Sequence, residues 1–189
     1  MSELTEIFNR QKYVVARACL EDPQLSLLYR YTRKRAALGT MKLDDTSAGA
    51  LSAPGEVFMD GLLEDLLPLA EETSGLKLFP TFSYFRVYHR DDTLERHKDR
   101  EACEISLSLC LGYDAERPWP MFIEGPAGVS AIDLEPGDGL FYRGMECPHW
   151  REAFKGNHLA QVFLNYVDQN GPNAEWKYDR RAGLMFKRP

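Results

Sequence analysis

The sequence predicts a mainly β domain with helical support (α+β), its N-terminal helices packed on one sheet of a sandwich or barrel. Three observations predict this. The hydrophobic spacing changes from helical to alternating after Ser74-Gly75. Beyond that point seven short strand-like runs follow at regular intervals, with turn residues between them. The chain has 189 residues, 44% of them hydrophobic, which suits one domain able to bury a core without disulfides or a structural metal.

The front of the chain reads as helix. From Glu3 to about Leu38, Ile7, Tyr13, Val14 and Ala18 recur at helix-like intervals, and Leu25, Leu27, Leu28 and Tyr31 continue the pattern beyond Asp22-Pro23. Arg30, Arg33, Lys34 and Arg35 form a short cationic run suited to a solvated helix face or to an acidic contact. Gly39 to Gly55 is small and polar and reads as a mobile loop, with a substrate lid as its functional counterpart. Glu56–Thr73 is a second amphipathic segment, with Phe58, Leu62, Leu63, Leu66 and Leu67 on one side. The strand candidates are Phe79–His89, Glu104–Leu111, Met121–Glu124, Val129–Ile132, Gly139–Arg143, Pro148–Phe154 and Leu159–Val167. The expected organisation is a single domain: residues 1–55 as helices and loop, 56–170 as the core, and 171–189 as a tail.

Composition excludes several classes. Charged residues make up 28% and aromatics 12%, which argues against disorder. No apolar run approaches the ~18 residues of a membrane span, and residues 1–10 lack the layout of a secretory signal, so neither membrane nor export is expected. The net charge of −6 makes nucleic acid a poor default partner. Cys19, Cys103, Cys110 and Cys147 contain no C-x-x-C pair. They read as reduced thiols of a cytoplasmic protein, mostly small buried hydrophobes.

All four histidines (His89, His97, His149, His158) lie in the back half. In His97-Lys98-Asp99 the first and third side chains share one side of an extended chain, so imidazole and carboxylate can reach one ion. His149 follows 52 positions later. Two histidines and a carboxylate form a facial set that leaves three positions open on iron(II). The bland alternative is an exposed His97 among charged neighbours and an ordinary strand histidine at 149.

Taken together, these residues resemble a family. The segment from about Glu56 to Asn170 is similar to the double-stranded β-helix (jelly-roll, cupin-like barrel) of iron(II)/2-oxoglutarate-dependent dioxygenases, nearest to the prolyl-4-hydroxylase-like branch. Tyr88 stands where that family contacts 2-oxoglutarate, His97 and Asp99 match its His-x-Asp, Pro136–Phe141 matches its PGD-x-L-x-F turn, and His149 matches its distal ligand. The resemblance implies an oxidoreductase in which Fe(II), held by His97, Asp99 and His149, uses 2-oxoglutarate and O2 to hydroxylate an unactivated carbon, releasing succinate and CO2. The chain departs from the pattern at the basic position, where His158 replaces the usual arginine or lysine nine or ten residues after the distal histidine. A buried carboxylate of the co-substrate needs a donor. The candidates rank Tyr88, Arg86, His158, then Arg151, with Arg86 sharing a strand face with Tyr84 and Tyr88.

Arg96, Arg100, Trp119 and Trp150 flank the ligand set and are the substrate-contact candidates, with solvated rim or packing as the alternative. Asp138 reads as a turn former. The expected substrate is a small molecule, an amino acid or a peptide or protein side chain, because one fold hosts many chemistries. Two other readings stay open: a metal-dependent cupin-like enzyme that does not use 2-oxoglutarate, and a non-catalytic binding module. Oligomeric state is not legible.

Overall fold

The computed structural model describes residues 2–44, 47 and 49–181. Asp45, Thr46 and Ala48 of the expected loop, and residues 182–189 of the expected tail, lie outside the described residues.

Four α-helices precede the strand-rich half. Helix α1 (Glu3–Gln11) is capped by the Ser2 side chain, carries Glu3 and Glu6 in its first turn, and stops at Lys12 in the left-handed region (φ 70°). Helix α2 spans Gln24–Ala37. The expected single helix over Glu56–Thr73 divides into α3 (Val57–Asp65) and α4 (Leu67–Ser74). Pro68 explains the division: it has no N–H to donate and its ring opposes the preceding turn, so it is placed at the start of α4. Gly75 ends α4 at φ +73°, a conformation glycine adopts without a Cβ clash.

Eleven strands form two antiparallel sheets among the described residues. They are β1 (Tyr13–Ala16), β2 (Lys42–Leu43), β3 (Leu51–Pro54), β4 (Leu78–His89), β5 (Leu94–His97), β6 (Ile105–Asp114), β7 (Met121–Gly125), β8 (Gly128–Ile132), β9 (Gly139–Tyr142), β10 (His149–Arg151) and β11 (His158–Asp168). The large sheet has the order β1-β9-β6-β11-β4-β3-β2, and the small sheet β5-β10-β7-β8.

The seven expected strand runs correspond to β4, β6, β7, β8, β9, β10 and β11. Two expectations for the first 55 residues are corrected. Tyr13–Ala16, read as part of a helix, is an edge strand aligned on β9, with Tyr13 opposite Tyr142. Its aromatic and β-branched residues fit a pleated surface, and pairing with β9 overrides the apolar spacing. The 39–55 segment is likewise no bare loop: β2 and β3 form a hairpin that extends the large sheet beyond β4, with Ser52 opposite Arg86.

Alternation along the long strands sorts residues to the two faces of the large sheet. Phe85 and Val87 of β4, Leu107 and Leu109 of β6 and Val162 and Leu164 of β11 join Phe8, Leu28, Met59 and Leu63 in the core beneath the helices. The opposite face meets the small sheet: Cys110 and Leu140 pack with Met121 and Ile123, and Tyr88 and Leu159 pack with Trp119. The polar residues Ser106, Ser108, Gln161 and Asn165 are all buried on this second face.

Candidate metal centre

Strand register builds the centre. In the small sheet β5 and β10 run antiparallel with His97 directly opposite His149. The chain turns after His97, and the Asp99 amide donates to the Gly144 carbonyl (3.0 Å). One ligand atom from each of His97, Asp99 and His149 lies within 4.8 Å of the others, with both histidine Nε2 atoms near Asp99 Oδ1 (3.6 and 3.7 Å).

Backbone acceptors fix both rings. His97 Nδ1 donates to the Glu95 carbonyl (2.7 Å) and His149 Nδ1 to the Cys147 carbonyl (3.0 Å). A carbonyl only accepts, so Nδ1 carries the proton, and in the neutral ring Nε2 presents its lone pair inward. Burial holds His149 below its usual pKa against the pull of Asp99, which favours this neutral form. The Asp99 carboxylate beside it raises His97. Burial disfavours charge on Asp99, but His97, the neighbouring His149 and the Ser106 hydroxyl outweigh it and hold the carboxyl below its usual range. Gly144 is required here. A Cβ at that position would lie 2.4 Å from both Asp99 Oδ2 and the Cys103 carbonyl oxygen.

Beyond the triad lies a polar chamber between the sheets. Arg151, two residues past His149 on the same strand face, is buried at 3% exposure. Its Nη2 donates to Gln161 Oε1 (2.7 Å), and Gln161 Nε2 donates to Ser108 Oγ (2.6 Å). Its Nη1 donates to the Trp119 carbonyl, while its buried Nε has no partner among the described residues. The hydrogen-bond partners of this guanidinium among the described residues are thus neutral, and burial lowers its pKa. Arg86 is buried as well, but differently served. Its Nε and Nη2 hold both oxygens of Asp44 (2.8 and 2.9 Å), its Nη1 donates to Tyr88 Oη (3.3 Å), and its plane lies over Tyr84 and Phe163.

The structure separates the remaining candidates. His158 belongs to the other face of β11, toward the helices. There it bonds Tyr29 Oη through Nε2 (2.6 Å) and stacks on that ring. It is therefore removed from the list of chamber donors, because alternation along β11 sends Leu159 and Gln161 inward and His158 outward. The same alternation removes two substrate candidates. Arg96 and Trp150 neighbour His97 and His149 in sequence and point away from them, with Arg96 over the Trp150 ring and Trp150 stacked on Phe122. Trp119 walls the chamber, its ring against Arg151, Tyr88 and Phe154 and its Nε1–H bound to the Glu152 carbonyl. Arg100 lies beside Asp99 at the outer end of the site, paired with Asp179 (2.9 Å). Asp138 is a turn residue as expected: Oδ2 accepts from the Glu135 amide, while Oδ1 binds the Ala18 amide.

Sequence reasoning missed Asp44, Gly144, Gln161, Ser106, Ser108 and Asn165. For the last four a signal existed. Polar residues at alternate positions in strands otherwise as apolar as Ile105–Leu111 and Leu159–Val167 mark a buried polar face. For Asp44 and Gly144 no local pattern points to the site.

No protein-family model matches the chain, and no curated protein matches it. Solved structures do. A Pseudomonas putida prolyl-4-hydroxylase superposes with a TM-score of 0.74 at 13% identity, covering 87% of this chain and 97% of its own. The epimerase SnoN of nogalamycin biosynthesis, in complex with Fe3+, alpha-ketoglutarate and nogalamycin RO, gives 0.74 at 14% identity, covering 97% and 91%. HygX from Streptomyces hygroscopicus, with nickel and 2-oxoglutarate bound, gives 0.71 at 10% identity, covering 90% and 88%. The chain has the oxygenase fold. Within that fold the chamber of this chain combines a His-Asp-His cluster with a buried arginine that has no carboxylate among its hydrogen-bond partners.

Proposed function

We propose that the protein is an iron(II)- and 2-oxoglutarate-dependent dioxygenase that hydroxylates a carbon of a small-molecule, amino-acid or peptide substrate. The observation that carries this reading is the pairing of the triad with Arg151. His97, Asp99 and His149 offer two imidazole nitrogens and a carboxylate, the donor set suited to iron(II) with open positions. Arg151 is a buried cation whose hydrogen-bond partners are neutral and whose Nε is unpartnered. A buried charge is costly until an opposite charge meets it.

Charge balance agrees. Asp99 and Asp44 offset Arg86 and Arg151 among the buried charges around the chamber, and a metal dication together with a dicarboxylate adds no net charge. One carboxylate end of 2-oxoglutarate belongs at the metal and the other at Arg151, with Gln161 and Tyr88 beside it. When bound, iron and co-substrate with dioxygen supply the oxidising chemistry, yielding succinate, CO2 and a hydroxylated carbon. The chain itself positions the ligands through Glu95, Cys147 and Ser106, walls the co-substrate with Trp119 and Tyr88, and keeps water from it. Arg151 gives a metal enzyme that does not use 2-oxoglutarate less support, since such an enzyme has no use for this cation.

Anaerobic titration of the iron(II)-loaded protein with 2-oxoglutarate tests the reading. A visible metal-to-ligand charge-transfer band is expected, and its absence overturns the co-substrate assignment. His97→Ala and Asp99→Ala should each abolish iron-dependent succinate production, and undiminished turnover in either would overturn the ligand assignment.

A further inference from the structure

Outside the chamber, a second arrangement of arginines and aromatics borders the metal cluster. Phe82, Tyr84 and Phe163 stack nearly parallel, with interplanar angles of 17° and 13°. Tyr84 is within electrostatic reach of Asp99. Phe82 and Tyr84 keep part of their surface in solvent, so the ring edges along this stack are open.

Arg100, the residue after Asp99, lies over Phe82 with its guanidinium 4.6 Å from the ring centroid, and its other neighbour is Trp176 at 5.3 Å. Two aromatic neighbours fix the guanidinium and leave its edge donors open to a carboxylate. The side chain is 43% exposed, and its present partner is Asp179, bonded at 2.9 Å.

Asp179 reaches Arg100 from an uncomfortable backbone. Tyr178, Asp179 and Arg180 are consecutive left-handed residues (φ 49°, 52° and 57°), none of them glycine. This conformation persists only while contacts hold it. Besides the Arg100 bond, the segment is tied by Tyr178 Oη to Glu64 and by Arg181 to Asp60 and the Thr81 carbonyl.

We propose that Arg100 is the recognition cation for a substrate that carries a carboxylate on a flat or apolar body, and that Asp179 is its internal stand-in. The substrate body packs against the exposed edges of Phe82 and Tyr84, its carboxylate takes the Arg100 donor from Asp179, and release of that bond relaxes the left-handed segment. This names the substrate class for the oxygenase reading and rests on it. In the exchange one carboxylate replaces another on the same donor, and the relieved backbone strain offsets part of the cost of association.

The test uses metal-free protein, so that it stands apart from the oxygenase chemistry. Hippurate is titrated calorimetrically into the wild type, Arg100→Gln and Asp179→Asn, with the neutral hippuramide as control. Asparagine tolerates the left-handed region well, so Asp179→Asn reads the charge rather than the backbone. Hippurate should bind Asp179→Asn several-fold more tightly than wild type, and Arg100→Gln roughly tenfold more weakly. Hippuramide should not distinguish the three. In the wild type, backbone hydrogen exchange over 174–181 should accelerate when hippurate binds. Unchanged binding by Arg100→Gln, weaker binding by Asp179→Asn, or no hippurate binding at all would overturn the proposal. A missing charge-transfer band would overturn the oxygenase reading and leave this result standing by itself.

Discussion

At Arg151, burial, charge and hydrogen bonding make different demands on one side chain. A guanidinium has five donors in a rigid fork, and its two neutral acceptors among the described residues (the Trp119 carbonyl and Gln161 Oε1) satisfy it only partly. A carboxylate ligand completes it. Arg151→Gln should therefore raise the KM for 2-oxoglutarate by about a hundredfold, as expected for losing a charge-assisted pair worth ~3 kcal/mol, while leaving iron(II) binding in place. Equal co-substrate affinity in this variant, measured by the charge-transfer titration, would assign the distal carboxylate elsewhere. Lysine substitution should restore part of the affinity, because the positive charge returns without the fork.

The β2–β3 hairpin joins sequence-remote residues to the chamber. Asp44 leaves β2 and meets Arg86 of β4, with both side chains nearly buried. Further along, Ser47 Oγ donates to the Thr93 carbonyl (2.5 Å), and Ala50 packs fully buried against the cluster of Tyr88 and Trp119. Asp44→Ala removes the carboxylate from a buried arginine and should cost about 3 kcal/mol, lowering the melting temperature by roughly 10 °C. Adding Arg86→Leu should recover most of that loss, since an apolar replacement for both partners removes the burial penalty. A double variant as unstable as the single one would show that Arg86 is needed for other reasons. This pairing also shows where sequence reading stops. The long strands announce themselves by alternation, so β4, β6 and β11 were legible, and His97, Asp99 and His149 followed from spacing and resemblance. Asp44 sits in a polar run with no period, and its role exists only because the hairpin adds to the edge of β4. Strand β5 escaped for a similar reason: Leu94-Glu95-Arg96-His97 has one apolar residue and draws its strand character from β10. His158 stands at the expected spacing of nine residues from His149, yet on a strand one residue decides the face.

For the whole molecule, the N-terminal third is part of the core. Phe8 of α1 is fully buried among residues from the helices and the large sheet. The Arg143 guanidinium lies over its ring, and β1 adds four residues to the sheet edge. Phe8→Ala should therefore destabilise the entire domain by ~3–5 kcal/mol, visible as a lower midpoint of one cooperative denaturation curve. An early, separate transition for the first 20 residues would instead make them an appendage. The same scale accounts for the acidic composition. A net charge of −6 coexists with two buried arginines, because carboxylates dominate elsewhere while the chamber keeps its cations inside.

The alignment of His97 with His149 across β5 and β10 has a consequence for folding. Both strands are short, and a slip of one residue between them would turn one of the two imidazoles to the outer face and break the cluster. Only the native alignment offers an ion both nitrogens. A metal that bound that alignment alone would shift the population toward it by mass action, so the proposed ion would act as a clamp on the small sheet as well as a reagent. Slipped pairings that the peptide backbone would tolerate would be depleted as metal concentration rises, and protein assembled with the metal would be more uniform than the polypeptide alone.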